Sequence, residues 1–264
     1  MRIAVCVKQV PDTEAQLRIA ADGRWLDEED LRFVVNESDD YAIEEALAVT
    51  EKHGGEVVVF SLGPERAKEA LRKGLALGAA KAVQLVDDAY QNGDARATAR
   101  ALAAAIDKEG VDLVITGSQS DDVGYGSTGS MIAGHLGWPH AWLVMGLEVE
   151  DGGATARVTR EMEAGMNEVF RVELPAVIEV QAGINHPRYM SLKGIMKAKR
   201  KPIEAVAPAD LGLEAGELGA SGSRVEILEI ALPESGEGAQ IIEGDPATAA
   251  RTLVEKLQKE ARVL

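Results

Sequence analysis

Cysteine is nearly missing from this sequence: Cys6 is the sole thiol in 264 residues. No disulfide can close within the chain, and such usage fits a reducing compartment. Aromatic residues make up only 4%, so the core has to be built from Ala, Val, Leu and Ile. Positive charge is short as well. Lys and Arg number 28 against 44 Asp and Glu, a formal net charge of −16. An excess of that sign argues against nucleic acid and anionic membrane as general partners. No apolar run reaches the roughly 20 residues that a membrane-spanning helix needs, so no direct membrane insertion is expected. Met1-Arg2 runs straight into IAVCV and Lys8 without the layout of a secretory signal, and a cytoplasmic location is expected. His53, His135, His140 and His186 fall in no metal-ligand spacing. Surface or loop positions are expected for all four, and no metal site.

What is present is an alternation. The chain is long enough for one large domain, or one with an appendage, around a sizeable core. Arg2 to Val7 has the composition of a buried strand, followed by a polar turn from Lys8 to Asp12. Ala21-Asp22-Gly23-Arg24 is a hairpin signal before Trp25-Leu26. Phe33 to Val35 is a short apolar piece closed by Asn36. Ser38 is expected to cap the next helix, with Asp39 and Asp40 in its first turn, where the helix dipole favours acids. Ala42, Ile43, Ala46, Leu47 and Val49 or Thr50 form its apolar face, and Gly54-Gly55 stops it. Val57 to Leu62 is a second strand; Gly63-Pro64 then leads into a helix with Pro64 near its first position. Ala82 to Val86 is a third strand, and Asp94 caps a helix ended by Gly110. Leu113 to Thr116 is a fourth. Alternating βα units imply an α/β protein with a doubly wound, mostly parallel sheet.

The chain is organised around residues 111–137, VDLVITGSQSDDVGYGSTGSMIAGHLG. A short apolar strand leads into a loop of small and acidic residues, then a helix with Met131, Ile132 and Leu136 as its apolar positions. A glycine-rich loop between strand and helix offers backbone N–H groups to a phosphate. The same turn also joins strands to helices with no ligand, and the local pattern leaves both readings open. In doubly wound sheets ligands bind beyond the carboxyl ends of the strands, where strand order reverses. The loops after Val7, Leu62 and Thr116 lie there, and a nucleotide is expected among them.

From Leu143 the pattern changes. Leu143 to Val149, Asp151-Gly152-Gly153 and Thr155 to Glu161 form a β-hairpin signal, which Asn167 to Glu173 and Ala176 to Val180 are expected to continue. Glu161, Glu163 and Glu168 alternate along it as solvent-facing charges, and no catalytic residue is assigned. After Gly183 the stretch INHPRYMSLKGIMKAKRKP is loop-like, with one helical turn through Ile195 to Lys199. Arg188, Lys193, Lys197, Lys199, Arg200 and Lys201 make it a basic island. Val225 to Ile230 is expected to be a strand, Pro233 to Gly244 a loop, and Asp245-Pro246 the start of a last helix.

Four stretches together resemble the beta (small) subunit of electron transfer flavoprotein. They are IAVCVKQVPD at the start, NESDDYAIEEAL from Asn36, VTREMEAGMNEVFRVELPAV from Val158 and NHPRYMSLKGIMKAKRKPIE from Asn185. The last is the most specific, because no generic α/β fold requires it. The resemblance implies an adenine-nucleotide hydrolase-like α/β fold with a β-hairpin extension and a C-terminal arm ending in a helix. It divides the chain into a nucleotide-binding domain, 1–204, with a recognition loop at 185–202, and an arm, 205–264, packing on a partner subunit. It implies a heterodimer with an alpha subunit that holds most of one FAD, and an AMP of structural role in this chain. By position Cys6, Asn36, Glu37, Ser38, Asp39, Leu62, Gly117, Ser118, Gln119, Ser120, Asp122, Gly124, Gly126, Ser127 and Thr128 match the AMP contacts. Leu192 matches the anchor that enters an apolar pocket on a partner dehydrogenase, with Arg188, Tyr189, Ile195 and Met196 around it.

The function so implied is an electron carrier without catalytic residues of its own. Acyl-CoA or related dehydrogenases reduce the flavin and a membrane quinone oxidoreductase reoxidises it. In electron-bifurcating members a second FAD takes the AMP pocket. A stand-alone adenine-nucleotide-binding module is the other alternative. The universal-stress type of that module uses a Gly-x2-Gly-x9-Gly-Ser/Thr loop, and no such spacing follows Thr116. Ligases and nucleotidyltransferases of the same fold group need His-x-Gly-His or Ser-Gly-Gly-x-Asp-Ser, and neither is present.

Overall fold

The computed structural model describes residues 1–150, 152–233 and 238–264. Its strands are β1 (Arg2–Cys6), β2 (Gln9–Pro11), β3 (Phe33–Val35), β4 (Glu56–Leu62), β5 (Lys81–Leu85), β6 (Leu113–Gly117), β7 (His140–Val149), β8 (Thr155–Glu161), β9 (Asn167–Glu173), β10 (Ala176–Val180) and β11 (Glu204–Val206). Its helices are α1 (Glu37–His53), α2 (Lys68–Leu77), α3 (Ala95–Glu109), α4 (Thr128–Leu136), α5 (Leu192–Arg200), the single turn α6 (Gly219–Gly222) and α7 (Pro246–Lys256).

Among the described residues nine strands form one sheet in the order β11-β5-β4-β1-β6-β10-β7-β8-β9. From β11 to β7 the pairs are parallel, and β7, β8 and β9 run antiparallel at the other end. Successive side chains of a strand point to opposite faces, and both faces are covered. Ile3, Val5, Val57, Val59 and Ile115 meet Ile43 of α1 and Leu71 of α2 on one side. Ala4, Val58, Phe60 and Val114 meet Leu102 and Ile106 of α3 and Ile132 of α4 on the other. That two-sided burial is why these strands are continuous apolar runs rather than alternating ones. The chain steps outward from β1 to β4 to β5, then returns across α3 to place β6 on the far side of β1. Strand order therefore reverses between β1 and β6.

Several caps stand where the sequence places them. The Asp94 carboxylate accepts from the Ala97 N–H at 2.9 Å at the start of α3, and Asp245 accepts from the Ala247 and Thr248 N–H groups ahead of α7. Other expectations are corrected. The N-cap of α1 is Asn36; Ser38 is already in the first turn. Pro64 precedes a single 3₁₀ turn, and α2 starts only at Lys68. Lys8 to Asp12 is not a simple turn, because Gln9–Pro11 pairs antiparallel with Phe33–Val35. β10 does not continue the antiparallel meander. It inserts between β6 and β7, parallel to both, since its five residues are all buried and need neighbours on two sides. The recognition stretch holds a full helix, α5, because the Ser191 hydroxyl accepts from the Gly194 N–H at 3.0 Å and caps it. Residues 225–230 form no strand; Val225 and Leu228 are exposed, and the backbone is tied by the Ile230 N–H to the Gly23 carbonyl at 2.8 Å. Asp151 of the expected hairpin turn and residues 234–237 of the expected loop lie outside the described residues.

Candidate nucleotide cleft and docking segment

At the reversal point the end of β1, the start of α1 and the glycine-rich loop after β6 are laced together. Asn36 is fully buried. Its amide donates to the Gln119 carbonyl and to Ser38 Oγ, both at 2.9 Å, and its Oδ1 accepts from the Asp121 N–H at 2.9 Å. Ser38 Oγ donates to the same Gln119 carbonyl at 2.9 Å, and the Glu37 N–H to Asp121 at 3.1 Å. The Asp39 carboxylate accepts from the Lys8 N–H at 2.7 Å. Burial pushes its pKa up to about 7, against the pull of the Lys8 N–H, the Asn36 side chain and the Gly117 N–H. Ser118 turns inward, its hydroxyl donating to the Val180 carbonyl at 2.7 Å. So Asn36, Ser38, Asp39 and Ser118 shape the loop with their own side chains.

Gly117 is required by this lacing. A Cβ there would collide with Ser38 Oγ and Asp39 Oδ1, so the start of α1 can approach β6 only over a glycine. Farther on, Gly124 and Gly126 hold positive φ of 59° and 56°, reversing the loop ahead of α4. Ser127 is the N-cap of α4 but leaves its side chain out of the cap, and Thr128 opens the helix. Cys6 and Leu62 stand at the neighbouring ends of β1 and β4, within one apolar cluster. Burial, and after it the Asp39 charge, push the Cys6 thiol far up, so it stays protonated.

Sequence reasoning missed three residues here. Lys8 closes the loop: its ammonium reaches the Asp122 carboxylate at 2.7 Å. Burial pushes the Asp122 carboxyl up, but Lys8, Ser120 and the Val123 N–H outweigh it and hold it below the ordinary carboxylate range. The signal was a lone cation just past β1, facing an acidic loop. Glu179 and His140 were the others. Glu179 interrupts the apolar run AVIEV of β10 and is fully buried, with Oε1 2.5 Å from His140 Nε2. His140 is therefore no loop histidine; it opens β7 against a buried acid.

Residues 185–202, expected to form a recognition loop, are held from two sides. The Arg188 guanidinium bonds Glu44 at 2.8 and 2.9 Å and Glu51 at 2.6 and 3.0 Å, both on α1. The hydrogen bonds it donates to the two glutamates raise its already high pKa further. Asn185 donates to the Tyr41 carbonyl and Glu45, each at 3.0 Å. Arg72 of α2 donates to the carbonyls of Ala198 and Lys201, both at 2.5 Å, closing the C-terminal end of α5. On this fixed base Tyr189 is 98% and Leu192 84% exposed, with Met196 exposed and Ile195 half-buried beside them. Of the residues expected to dock, Arg188 is engaged with α1. On the hairpin, Glu161, Glu163 and Glu168 are exposed, and Glu168 pairs with Arg160 at 2.6 Å. Among the described residues there is no metal-ligating cluster and no helix long and apolar enough to cross a membrane.

A mostly parallel α/β sheet, wound on both faces, with a glycine-rich loop and two helix starts converging at its reversal point, defines the class of α/β proteins that hold ligands at strand ends. Within that class the family model of the Electron transfer flavoprotein domain matches residues 24–211. The chain is 42% identical over 257 residues to the electron transfer flavoprotein subunit beta of Methylophilus methylotrophus, covering 97% of each. It is 37% identical over 258 residues to that of Thermoanaerobacterium thermosaccharolyticum, covering 97% of this chain and 98% of the relative. With the subunit of Mycobacterium tuberculosis H37Rv it shares 40% over 234 residues, 86% of each. The chain belongs to the electron transfer flavoprotein family, as a beta-subunit member of this electron-carrier group.

Proposed function

We propose that this chain is the beta subunit of a heterodimeric cytoplasmic electron carrier. An alpha subunit holds most of one FAD; acyl-CoA or related dehydrogenases reduce it, and a membrane quinone oxidoreductase reoxidises it. The observation that carries this reading is α5. An apolar anchor, Leu192, stands exposed at the start of a helix that is tied to α2, follows a segment tied to α1, and carries Lys193, Lys197, Lys199 and Arg200 along its length. Basic charges steer the encounter and one apolar contact allows release, which suits a carrier that must let go of each donor. When bound, the flavin supplies the redox chemistry; this chain's residues position, dock and bind.

The cleft between β1 and β6 is assigned to AMP. Its fit rests on the start of α4, where Ser127 leaves the first-turn N–H groups uncapped by its own side chain, and on the backbone reversal at Gly124 and Gly126. Residues 1–204 serve as the nucleotide-binding domain, of adenine-nucleotide hydrolase-like type. Residues 205–264 serve as an arm toward the alpha subunit: Val206 of β11 and Leu218 root it in this chain's own core, and beyond them exposed Leu228, Leu232, Ile241, Leu253 and Val254 give it an apolar surface to bury on the partner. Co-expression with the alpha subunit, denaturation of the purified complex and quantification of released cofactors test the reading. One FAD and one AMP per heterodimer are expected. Two FAD and no AMP would make it an electron-bifurcating protein, and no flavin would leave a nucleotide-binding module.

A further inference from the structure

Beneath the first turn of α4 lies a carboxylate that the carrier function does not use. Glu179 is 0% exposed, in the middle of the sheet. Its Oε1 meets His140 Nε2 at 2.5 Å, while its Oε2 is buried and has no hydrogen-bond partner among the described residues. Gly129, second residue of α4, lies directly against it: a Cβ there would stand 2.5 Å from Glu179 Cδ. The half-satisfied acid thus sits under the helix start whose N–H groups would receive an anion.

We infer that Glu179 determines what the α4 end of the cleft accepts, through one proton shared with His140. With that proton the pair is neutral and the first-turn N–H groups serve a phosphate monoester. Without it, the Glu179 carboxylate draws on the same N–H groups and repels the phosphate. This rests on the cleft being a nucleotide site.

The surroundings favour retention of the proton. Burial pushes the Glu179 carboxyl up, against the opposing pull of His140 and, from outside hydrogen-bond geometry, of the Ser130 N–H. Among the described residues no other charge acts on Glu179. On β6 its register neighbour is Thr116. The titratable residue of α4, His135, is exposed and is held down first by desolvation and then by Arg100 and Arg96 of α3. Lys8, Asp39, Asp122 and Cys6 belong to the β1 side of the loop. His140 is partly exposed and gives the proton a path to water.

The sign follows by linkage. If the protonated pair binds phosphate better, AMP affinity falls as pH rises through the pair's titration, by at most about tenfold per pH unit for one proton. A phosphate monoester's own second ionisation lies near about pH 6, so the range from 7 to 9 isolates the protein's contribution. The test is equilibrium dialysis of AMP, and separately of adenosine, against the nucleotide-depleted heterodimer at pH 7, 8 and 9, in wild type and Glu179→Gln. Wild type is expected to lose AMP affinity across the range. Glu179→Gln should lose markedly less, and adenosine affinity should stay level in both. A level AMP profile in wild type overturns the inference, and so does an equally steep fall in Glu179→Gln. Absence of AMP binding by wild type at pH 7 would instead remove the nucleotide reading itself. Should Glu179→Gln fail to assemble, calorimetric titration of wild type in two buffers of different ionisation enthalpy decides: proton uptake with AMP but not adenosine at pH 8 is expected, and zero uptake with AMP refutes the coupling.

Discussion

Replacing Leu192 by Ala should weaken capture of the donor dehydrogenase while leaving the fold intact. Leu192 is the first residue of α5 and is 84% exposed, so the free protein loses almost no buried surface with it. Ser191 continues to cap α5 through the Gly194 N–H, and Ala is no worse than Leu as a helix former. The loss falls on the complex. At about 0.8 kcal/mol per buried methylene, the three carbons removed are worth about 2.4 kcal/mol if the partner covers the side chain fully. That is roughly 50-fold in affinity, and partial coverage brings it nearer to tenfold. The assay is stopped-flow reduction of the heterodimer's flavin by reduced dehydrogenase over a concentration series. The half-saturating concentration should rise about 10- to 50-fold, with the limiting rate, flavin content and Tm close to wild type. An unchanged concentration dependence would refute the role of Leu192. A loss of flavin or of Tm would place the residue in the subunit interface instead.

Arg188→Gln should act on the same complex by another route: with its bonds to Glu44 and Glu51 gone, the segment loosens from α1, and dehydrogenase capture should weaken severalfold in stopped-flow while the Leu192 contact itself remains. Gly117→Ala should destabilise the protein by about 1–3 kcal/mol through overpacking against Ser38 and Asp39, read from urea unfolding, together with loss of nucleotide from the purified complex. For Asp39, whose pKa burial raises to about 7, the folded state holds a proton that the unfolded chain has released. Its contribution to stability is therefore full at acid pH and falls as pH rises from the ordinary carboxylate range to about 7. The slope is at most on the order of 1.4 kcal/mol per pH unit. Asp39→Asn should remove that slope, and a wild-type-like pH profile of Tm in the variant would contradict it.

The sequence by itself determined most elements of the first half and the presence of a glycine-rich loop between β6 and α4. Strand periodicity, the Asp94 and Asp245 caps and the Gly54 and Gly110 stops act within a few residues of where they stand, so they can be read locally. The family, too, was legible, from stretches such as NHPRYMSLKGIMKAKRKPIE. α5 was under-read because its apolar period, Leu192, Ile195 and Met196, spans little more than one turn and the helix buries only Ala198. What the tertiary structure decided was which distant groups meet. β10 entered the sheet between β6 and β7 because a strand buried on both faces needs two neighbours. Only that strand order sets Glu179 beside His140 and under Gly129. Lys8 finds Asp122 at a separation of 114 residues and Arg188 finds Glu44 at 144, distances at which sequence spacing carries no geometric information. A polar side chain's partner depends on strand order and helix placement, and those follow from burying the whole core at once rather than from any local pattern.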